Sequence, residues 1–248
     1  MLKLMKYEMR KTLFMKLALI AVTVICEALF FIQASRNDPA KQGTILFVLA
    51  LAAIFGLLFM GIQSIVTLHR DMNTRQSYML FMTPNSTYKI LGAKVLENTL
   101  STLLGGAIFV GIIFFDFRLL IHRYGDAAET LEFLKSLLSG VNTHFEFTFA
   151  GIAAFVCDLL CGWVATVTAA YLADVVASSL LQGKKGGGLL CIVLFIVITW
   201  GLFFELTEHL PGSADVNTNH YIQSAYDLAL AGICYFVTAK LMDKYLSV

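Results

Sequence analysis

The stretch of sequence that decides the fold is TILFVLALAAIFGLLFMGIQSIVTL, residues 44–68. It contains no charged residue and only a few polar ones. A helix of about 20 predominantly apolar residues crosses the roughly 30 Å hydrocarbon core of a bilayer. The stretch therefore predicts a membrane-spanning helix.

Similar runs recur along the chain, at residues 17–35, 95–121, 147–181, 189–205 and 221–242. The chain of 248 residues is 58% hydrophobic and 14% charged, whereas about 25% of residues are charged in soluble domains. These runs predict an all-α integral membrane protein, a single domain 1–248 with about six transmembrane helices. The run 189–205 is short, and a broken or re-entrant helix is the alternative there.

The distribution of positive charge predicts the orientation. Thirteen of the eighteen Lys and Arg residues fall in segments that face one side if the N-terminus is cytoplasmic. An excess of Lys and Arg is typical of cytoplasmic loops. We therefore expect a multi-pass protein of the cell (plasma) membrane with both termini cytoplasmic and an external loop at 123–146. The long first run without a small-residue cleavage pattern predicts a retained helix rather than a cleaved signal.

Residues 2–14 have the pattern of an amphipathic helix. At 100° per residue one face carries Leu2, Met5, Met9 and Leu13, and beside it lie Lys3, Lys6 and Arg10. Such a helix lies in the headgroup plane of a membrane that contains anionic lipid. The alternative is a positively charged flank whose periodicity is accidental.

The segment 69–94 is the longest predicted cytoplasmic excursion. Asn73 with Gln76 resembles a capping box, and a bulky apolar stretch at 78–82 then precedes Pro84, which stops the helix. Asn85 or Ser86 can cap the next helix, which continues through Lys89 and Lys94 into the third span. An ordinary solvated loop is the alternative, although loops rarely expose five consecutive bulky residues.

The fourth run is longer than a membrane span, so we expect its second half to project or kink. A ladder of small residues repeats every four positions within it, at Ala165, Ala169, Ala173 and Ala177. Small residues allow another helix to approach closely. The partner helix belongs either to the same chain or to a second subunit.

The sequence contains no pattern that predicts an enzyme, a metal site or a nucleic-acid partner. The Gly-rich segment 183–188 lacks the order G-x-x-x-x-G-K-[ST] of a phosphate-binding loop. All five cysteines lie in apolar runs, where thiols behave as small hydrophobic groups, and Cys157 and Cys161 lack the further ligands that a metal requires. We expect no catalytic residue and no cofactor in this chain.

Acidic residues inside the spans are costly and are candidates for function. Glu27 and Asp158 are predicted to lie deepest, without a Lys or Arg partner. Asp227 is expected nearer the outer end of the last span, and Asp116 and Arg118 near enough to the interface to snorkel. Glu27 and Asp158 are either structural hydrogen-bonding groups between helices or parts of a substrate or proton pathway.

The order of several motifs resembles a known family. The basic helix 6–11 (KYEMRK) leads into the first span, and the segment 70–75 (RDMNTR) follows the second. An apolar helix end, the turn 83–86 (TPNS) and the residues 92–94 (GAK) then lead into the third. This arrangement is similar to the permease subunits of type-2 ATP-binding-cassette (ABC) exporters, except that Ala93 separates the Gly and the Lys of the family's Gly-Lys pair.

The resemblance implies an ATP-driven exporter of a peptide antibiotic, a lipid-like molecule or an ion. Residues 71–82 would be the coupling helix that docks on a separate ABC ATPase subunit, which would hold ATP and Mg. The ATPase-coupling residues would be Tyr78, Met79, Leu80 and Phe81 as anchors, with Arg70 and Arg75 at the rim. A second permease copy or homologue would complete the pathway in the lipid membrane. Alternatives are a membrane scaffold or signalling subunit, and a proton-coupled secondary transporter that uses Glu27 and Asp158.

Overall fold

The computed structural model describes residues 2–35, 39–73, 86–124, 149–181, 187–205 and 215–246. All regular structure in these ranges is helical. The α-helices are α1 (Leu2–Ser35), α2 (Pro39–Asn73), α3 (Thr87–Tyr124), α4 (Phe149–Leu181), α5 (Gly187–Thr199) and α6 (Val216–Leu246). A π-helical segment, Trp200–Glu205, continues α5.

Five of these helices, α1, α2, α3, α4 and α6, are long and apolar enough to cross a membrane. This confirms the all-α class and indicates a multi-pass membrane protein. The remaining apolar helix, Gly187–Leu202, is shorter, and it occupies the run for which a broken or re-entrant helix was the alternative. Residues 2–14 form the first turns of α1 without a break, and their position in a headgroup plane stays a prediction.

The helix α3 begins directly after Ser86, one of the two residues that the sequence offers as its cap. The carbonyl oxygen of Ser86 accepts hydrogen bonds from the N–H groups of Lys89 (2.9 Å) and Ile90 (3.2 Å). The helix then runs for 38 residues, or about 57 Å at 1.5 Å per residue. It therefore extends well beyond the apolar run 95–121, because charged and polar residues continue the same helix outside the hydrocarbon core.

The chain divides into two compact units. Unit 1 comprises Met1–Glu8, Gln63–Thr99 and Phe145–Val248. Its core contains side chains from α2, α3, α4 and α6, among them Leu68, Leu91, Tyr171 and Met242. The most extensive helix packing is between α4 and α6. All four alanines of the ladder Ala165–Ala169–Ala173–Ala177 are completely buried within the chain, so the ladder serves packing inside one subunit.

Unit 2 comprises Met9–Ile62 and Leu100–His144. Many of its large apolar side chains are exposed, for example Phe14, Phe55 and Phe114. Apolar surface of this extent is expected where lipid replaces water. Lys16 Nζ donates a hydrogen bond to Ser101 Oγ at 2.6 Å, which joins α1 to α3. Most of the predicted external loop 123–146 lies outside the described residues.

Candidate functional site

A buried lysine lies near the start of α3 and is paired with two carboxylates. Lys94 Nζ is 2.9 Å from Glu8 Oε2 and 2.7 Å from Asp71 Oδ2. The side chains of all three residues are at most 7% exposed. We call this group the Lys94 cluster. It joins the first turns of α1, the end of α2 and the start of α3 through opposite charges.

The stability that such a group contributes depends on all of its members being in place. A buried charge is tolerated only when it is paired and hydrogen-bonded, because desolvation costs several kcal/mol per ion. The ammonium group has three donors, and two of them are used on Glu8 and Asp71. The cluster therefore specifies one arrangement of three helices, since moving any one of them away would leave a charge buried without its partner.

The same end of α3 is also held by α6. The hydroxyl of Tyr235 donates a hydrogen bond to the backbone oxygen of Tyr88 at 2.6 Å, and the hydroxyl of Thr87 donates to the carboxylate of Asp243. The rings of Tyr88 and Tyr235 also contact edge to face, with centroids 6.4 Å apart. The first turn of α3 is therefore fixed to α6 as well as to α1 and α2.

Two polar contacts join α2 to α4 in unit 1. The hydroxyls of Ser64 and Tyr171 form a buried hydrogen bond. One turn further along α2, His69 Nδ1 lies 2.6 Å from Oδ1 of Asp174, whose side chain is fully buried. Polar contacts between membrane helices are usually worth about 0.6 kcal/mol each. The two contacts together stabilise the packing of α2 against α4.

A second ionisable group lies between α4 and α6. His220 Nδ1 is 2.8 Å from Asp158 Oδ2, and the side chains are 16% and 21% exposed, respectively. Asp227 is more completely buried in the protein and is only 4% exposed. The amide of Gln223 donates a hydrogen bond to Asp227 Oδ1 at 3.2 Å. We call Asp158, His220 and Asp227 the Asp158 site.

A glycine on α4 allows the Asp227 carboxylate to approach that helix. A Cβ atom at position 162 would lie 3.3 Å from Asp227 Oδ2, which is tighter than an ordinary van der Waals contact. Asp158 lies one turn before Gly162 on α4, so both carboxyl groups face the same part of the α4–α6 interface.

In unit 2 a carboxyl pair joins α1 to α3. Glu27 and Asp116 lie close to each other, and the neighbouring rings of Phe31 and Phe115 have centroids 6.5 Å apart. Both oxygens of Asp116 are buried and have no hydrogen-bond partner within the described part of the chain. The prediction that Asp116 snorkels is wrong, because its side chain is fully buried.

The predicted pathway residues thus belong to different units, Glu27 to unit 2 and Asp158 to unit 1. Each lies beside an ionisable residue of another helix that is neither Lys nor Arg. Asp158 is hydrogen-bonded to His220, and Glu27 lies close to Asp116. The predicted ATPase-coupling residues Arg75, Tyr78, Met79, Leu80 and Phe81 lie outside the described residues.

Sequence reasoning missed the Lys94 cluster. Lys94 stands at the border of an apolar run and was counted as a charge facing the cytoplasm, while Glu8 and Asp71 lie in charged islands elsewhere. The partners are 86 and 23 positions away from Lys94, so no local spacing connects them. His220 was missed for the same reason, since it is 62 positions from Asp158.

Comparison of the chain with protein-family models, with curated proteins and with solved structures gave no match. In the described ranges, no group of three or more His, Cys, Asp or Glu side chains is placed to hold a metal ion. The interpretation of the site therefore rests on its own geometry, in which the Lys94 cluster and the Asp158 site are the two main polar features of unit 1.

Proposed function

We propose that this chain is the transmembrane permease subunit of an ATP-driven exporter of the type-2 ABC class. A separate subunit hydrolyses ATP, and the substrate is a peptide antibiotic, a lipid-like molecule or an ion. In this proposal the protein resides in the cell membrane with both termini in the cytoplasm and acts with a second permease copy or homologue. The observation that carries the proposal is the Lys94 cluster.

Asp71 of the cluster is the first residue of the proposed coupling helix 71–82, and in the structure α2 continues through Asp71 to Asn73. Asp71 is near the end of α2 and Lys94 is near the start of α3, so the segment 74–85 connects two helix ends that a buried ion pair holds together. A force applied to this segment acts on both helices at once. A loop between independently moving helices would instead absorb the force by bending.

The other contacts of α3 extend this rigid connection. Glu8 brings in the first turns of α1, and Tyr235 brings in α6. A permease without a nucleotide site needs such a lever, because ATP-driven motion of its partner must reach the spans as a rigid-body displacement. Four helices that are fixed to one another beside the coupling segment meet this requirement.

The experiment that tests the proposal removes the apolar anchors of the coupling segment. In the variant Met79→Ala/Leu80→Ala/Phe81→Ala, we expect the ATPase subunit to be lost on co-purification and export to stop. A buried interface anchor contributes about 1–3 kcal/mol. Three of them together should weaken docking at least about a hundredfold, since every 1.4 kcal/mol is tenfold.

The matched control is Arg75→Gln, which changes a rim charge in the same segment. Solvated ion pairs contribute at most about 1 kcal/mol, so this variant should keep most of the ATPase. Normal membrane insertion of the triple variant must be shown by its yield and its gel-filtration profile. If the correctly inserted triple variant retains both the ATPase and export, the docking assignment is wrong.

A further inference from the structure

The α4–α6 interface contains three ionisable side chains, those of Asp158, His220 and Asp227. His220 Nδ1 and Asp158 Oδ2 are 2.8 Å apart, and Asp227 faces the same region of α4 at Gly162. We propose that Asp158, His220 and Asp227 form a proton-binding site that exchanges a proton with the aqueous phase. This inference goes beyond the proposed function and does not depend on an ATPase.

The first argument is the hydrogen bond between His220 and Asp158. A separation of 2.8 Å between an imidazole nitrogen and a carboxylate oxygen is a hydrogen bond, and one proton lies between the two atoms. The contact forms with a neutral or a protonated imidazole, because Nδ1–H can donate in both, and the protonated ring carries a second N–H at Nε2. Asp158 Oδ1, on the other side of that carboxyl group, is buried and accepts no hydrogen bond from the described residues.

The second argument is charge. Asp158 and Asp227 are two acids in one poorly solvated interface, and two like charges in such a place disfavour simultaneous ionisation. The imidazole can compensate one negative charge but not both. The other titratable groups that face the site are Cys157 and Cys161 on α4 and Tyr226 on α6, and these are ordinarily neutral at pH 7.

The third argument is access. His220 and Asp158 are partly exposed, whereas Asp227 is almost completely buried. Asp227 lies seven residues beyond His220 on α6, or about 10 Å further along the helix. The site therefore extends from an exposed histidine to a buried acid. The edge of the Phe155 ring packs against the His220 imidazole, with centroids 5.9 Å apart, and holds it in the position that contacts Asp158.

Two further polar side chains lie close to Asp227 along α6. The hydroxyl of Tyr226 donates a hydrogen bond to the backbone oxygen of Leu202 at 2.6 Å, so it is directed to the π-helical segment. The amide of Gln223 remains the neutral donor to Asp227. Because an amide cannot compensate a charge, the charge on Asp227 depends on the protonation of Asp158 and His220.

The test is infrared spectroscopy of the purified chain in lipid nanodiscs, with the carbonyl band of protonated carboxyl groups followed across pH. We expect the difference spectra to show a titrating carboxyl group that is absent from Asp158→Asn or Asp227→Asn. In His220→Gln its midpoint should shift by about one pH unit, which is tenfold in proton affinity. The matched control is Asp215→Asn, since Asp215 is an exposed acid just before α6, and it should titrate like the wild-type chain.

Gly162→Ala supplies a variant that keeps every ionisable group and changes only the space beside Asp227. It should shift the midpoint as well, since a Cβ there would displace the carboxylate. Circular dichroism and gel filtration identify variants that fail to fold. A titration identical to that of the wild-type chain in the folded Asp158, Asp227 and His220 variants would overturn the proposal. If the Asp variants do not fold, a wild-type midpoint in both Gly162→Ala and His220→Gln would also overturn the proposal.

Discussion

The Lys94 cluster and the Asp158 site are both polar groups within unit 1, yet they differ in charge balance and exposure. The Lys94 cluster combines opposite charges whose side chains are at most 7% exposed. The Asp158 site combines two acids with one histidine, and two of its members are 16% and 21% exposed. The first has permanent partners for its lysine, whereas the second has groups that can gain or lose a proton.

Burial and charge together decide what a polar group of this kind does. A buried lysine between two carboxylates acts as a fixed connection between helices, because separating them would leave a buried charge without its partner. In the Asp158 site one histidine faces two acids, of which only Asp158 is partly exposed, so the opposite charges do not balance. We therefore assign mechanical connection to the Lys94 cluster and proton exchange to the Asp158 site.

The largest expected effect comes from removing the lysine. Lys94→Met leaves the carboxylates of Glu8 and Asp71 buried without the ammonium group. Breaking a buried ion pair by removing one partner costs about 3–5 kcal/mol. We expect a corresponding loss in the free energy of unfolding, measured by denaturant titration of the purified chain in detergent micelles.

A neutral triple variant separates charge from shape in this experiment. In Glu8→Gln/Asp71→Asn/Lys94→Met no charge remains in the cluster, so no ion is left buried without its partner. This variant should therefore be more stable than Lys94→Met alone. If Lys94→Met unfolds like the wild-type chain, the cluster does not hold the three helices and the comparison with the Asp158 site fails.

The helices were predictable because the length and hydrophobicity of an apolar run depend only on residues that are neighbours in the sequence. The apolar run 147–181 corresponds to α4, Phe149–Leu181, and α3 begins directly after Ser86, whose carbonyl oxygen accepts the first helical hydrogen bonds. The ends of α2 and α3 were less predictable. Both helices extend beyond their apolar runs, because helical hydrogen bonding continues through charged residues once the chain has left the hydrocarbon core.

The polar contacts could be predicted only in part. Glu27 and Asp158 were identified as unusual because each is an acid inside an apolar run, a signal that needs no knowledge of the fold. Their partners Asp116 and His220 lie near helix ends, where an ionisable residue is ordinary. The burial of Lys94 was missed because it stands at the border of an apolar run, where a charged residue is also ordinary. Which residues meet depends on the packing of distant helices, and an isolated sequence does not contain that information locally.

An intermediate effect is expected from the contact between Asp158 and His220. A double-mutant cycle with Asp158→Ala and His220→Ala should give a coupling energy of about 0.6–1.7 kcal/mol, the range measured for hydrogen bonds between membrane helices. The control cycle pairs Asp158→Ala with Asp215→Ala and should give a value near zero. A coupling as large as the penalty for Lys94→Met would show that the Asp158 site is a fixed ion pair, which would remove the contrast between the two groups.

The smallest expected effect concerns Asp215, which shows how a fully exposed acid behaves beside the same helix. The Thr218 hydroxyl donates a hydrogen bond to Asp215 Oδ2 at 2.6 Å. This bond, together with those from the backbone N–H groups of Asn217 and Thr218, lowers the pKa of Asp215 from its usual value. A carboxyl group with a lowered pKa stabilises the folded state at pH values above its unfolded pKa, and the contribution disappears as pH falls through the lower, folded value.

The effect should therefore appear only in acid, below the usual range of an aspartate near pH 4, and only in the first turn of α6. Amide hydrogen exchange of Thr218 and Asn219, corrected for intrinsic rates, should increase on acidification in the wild-type chain. In Asp215→Asn the amide side chain still caps the helix but carries no charge, so this dependence on pH should vanish while the turn stays formed. The Asp158 site lies further along α6, and its infrared titration should be the same in both chains. A change there would mean that the start of α6 and the proton-binding site respond to pH as one unit, because fraying of the first turn would also displace His220.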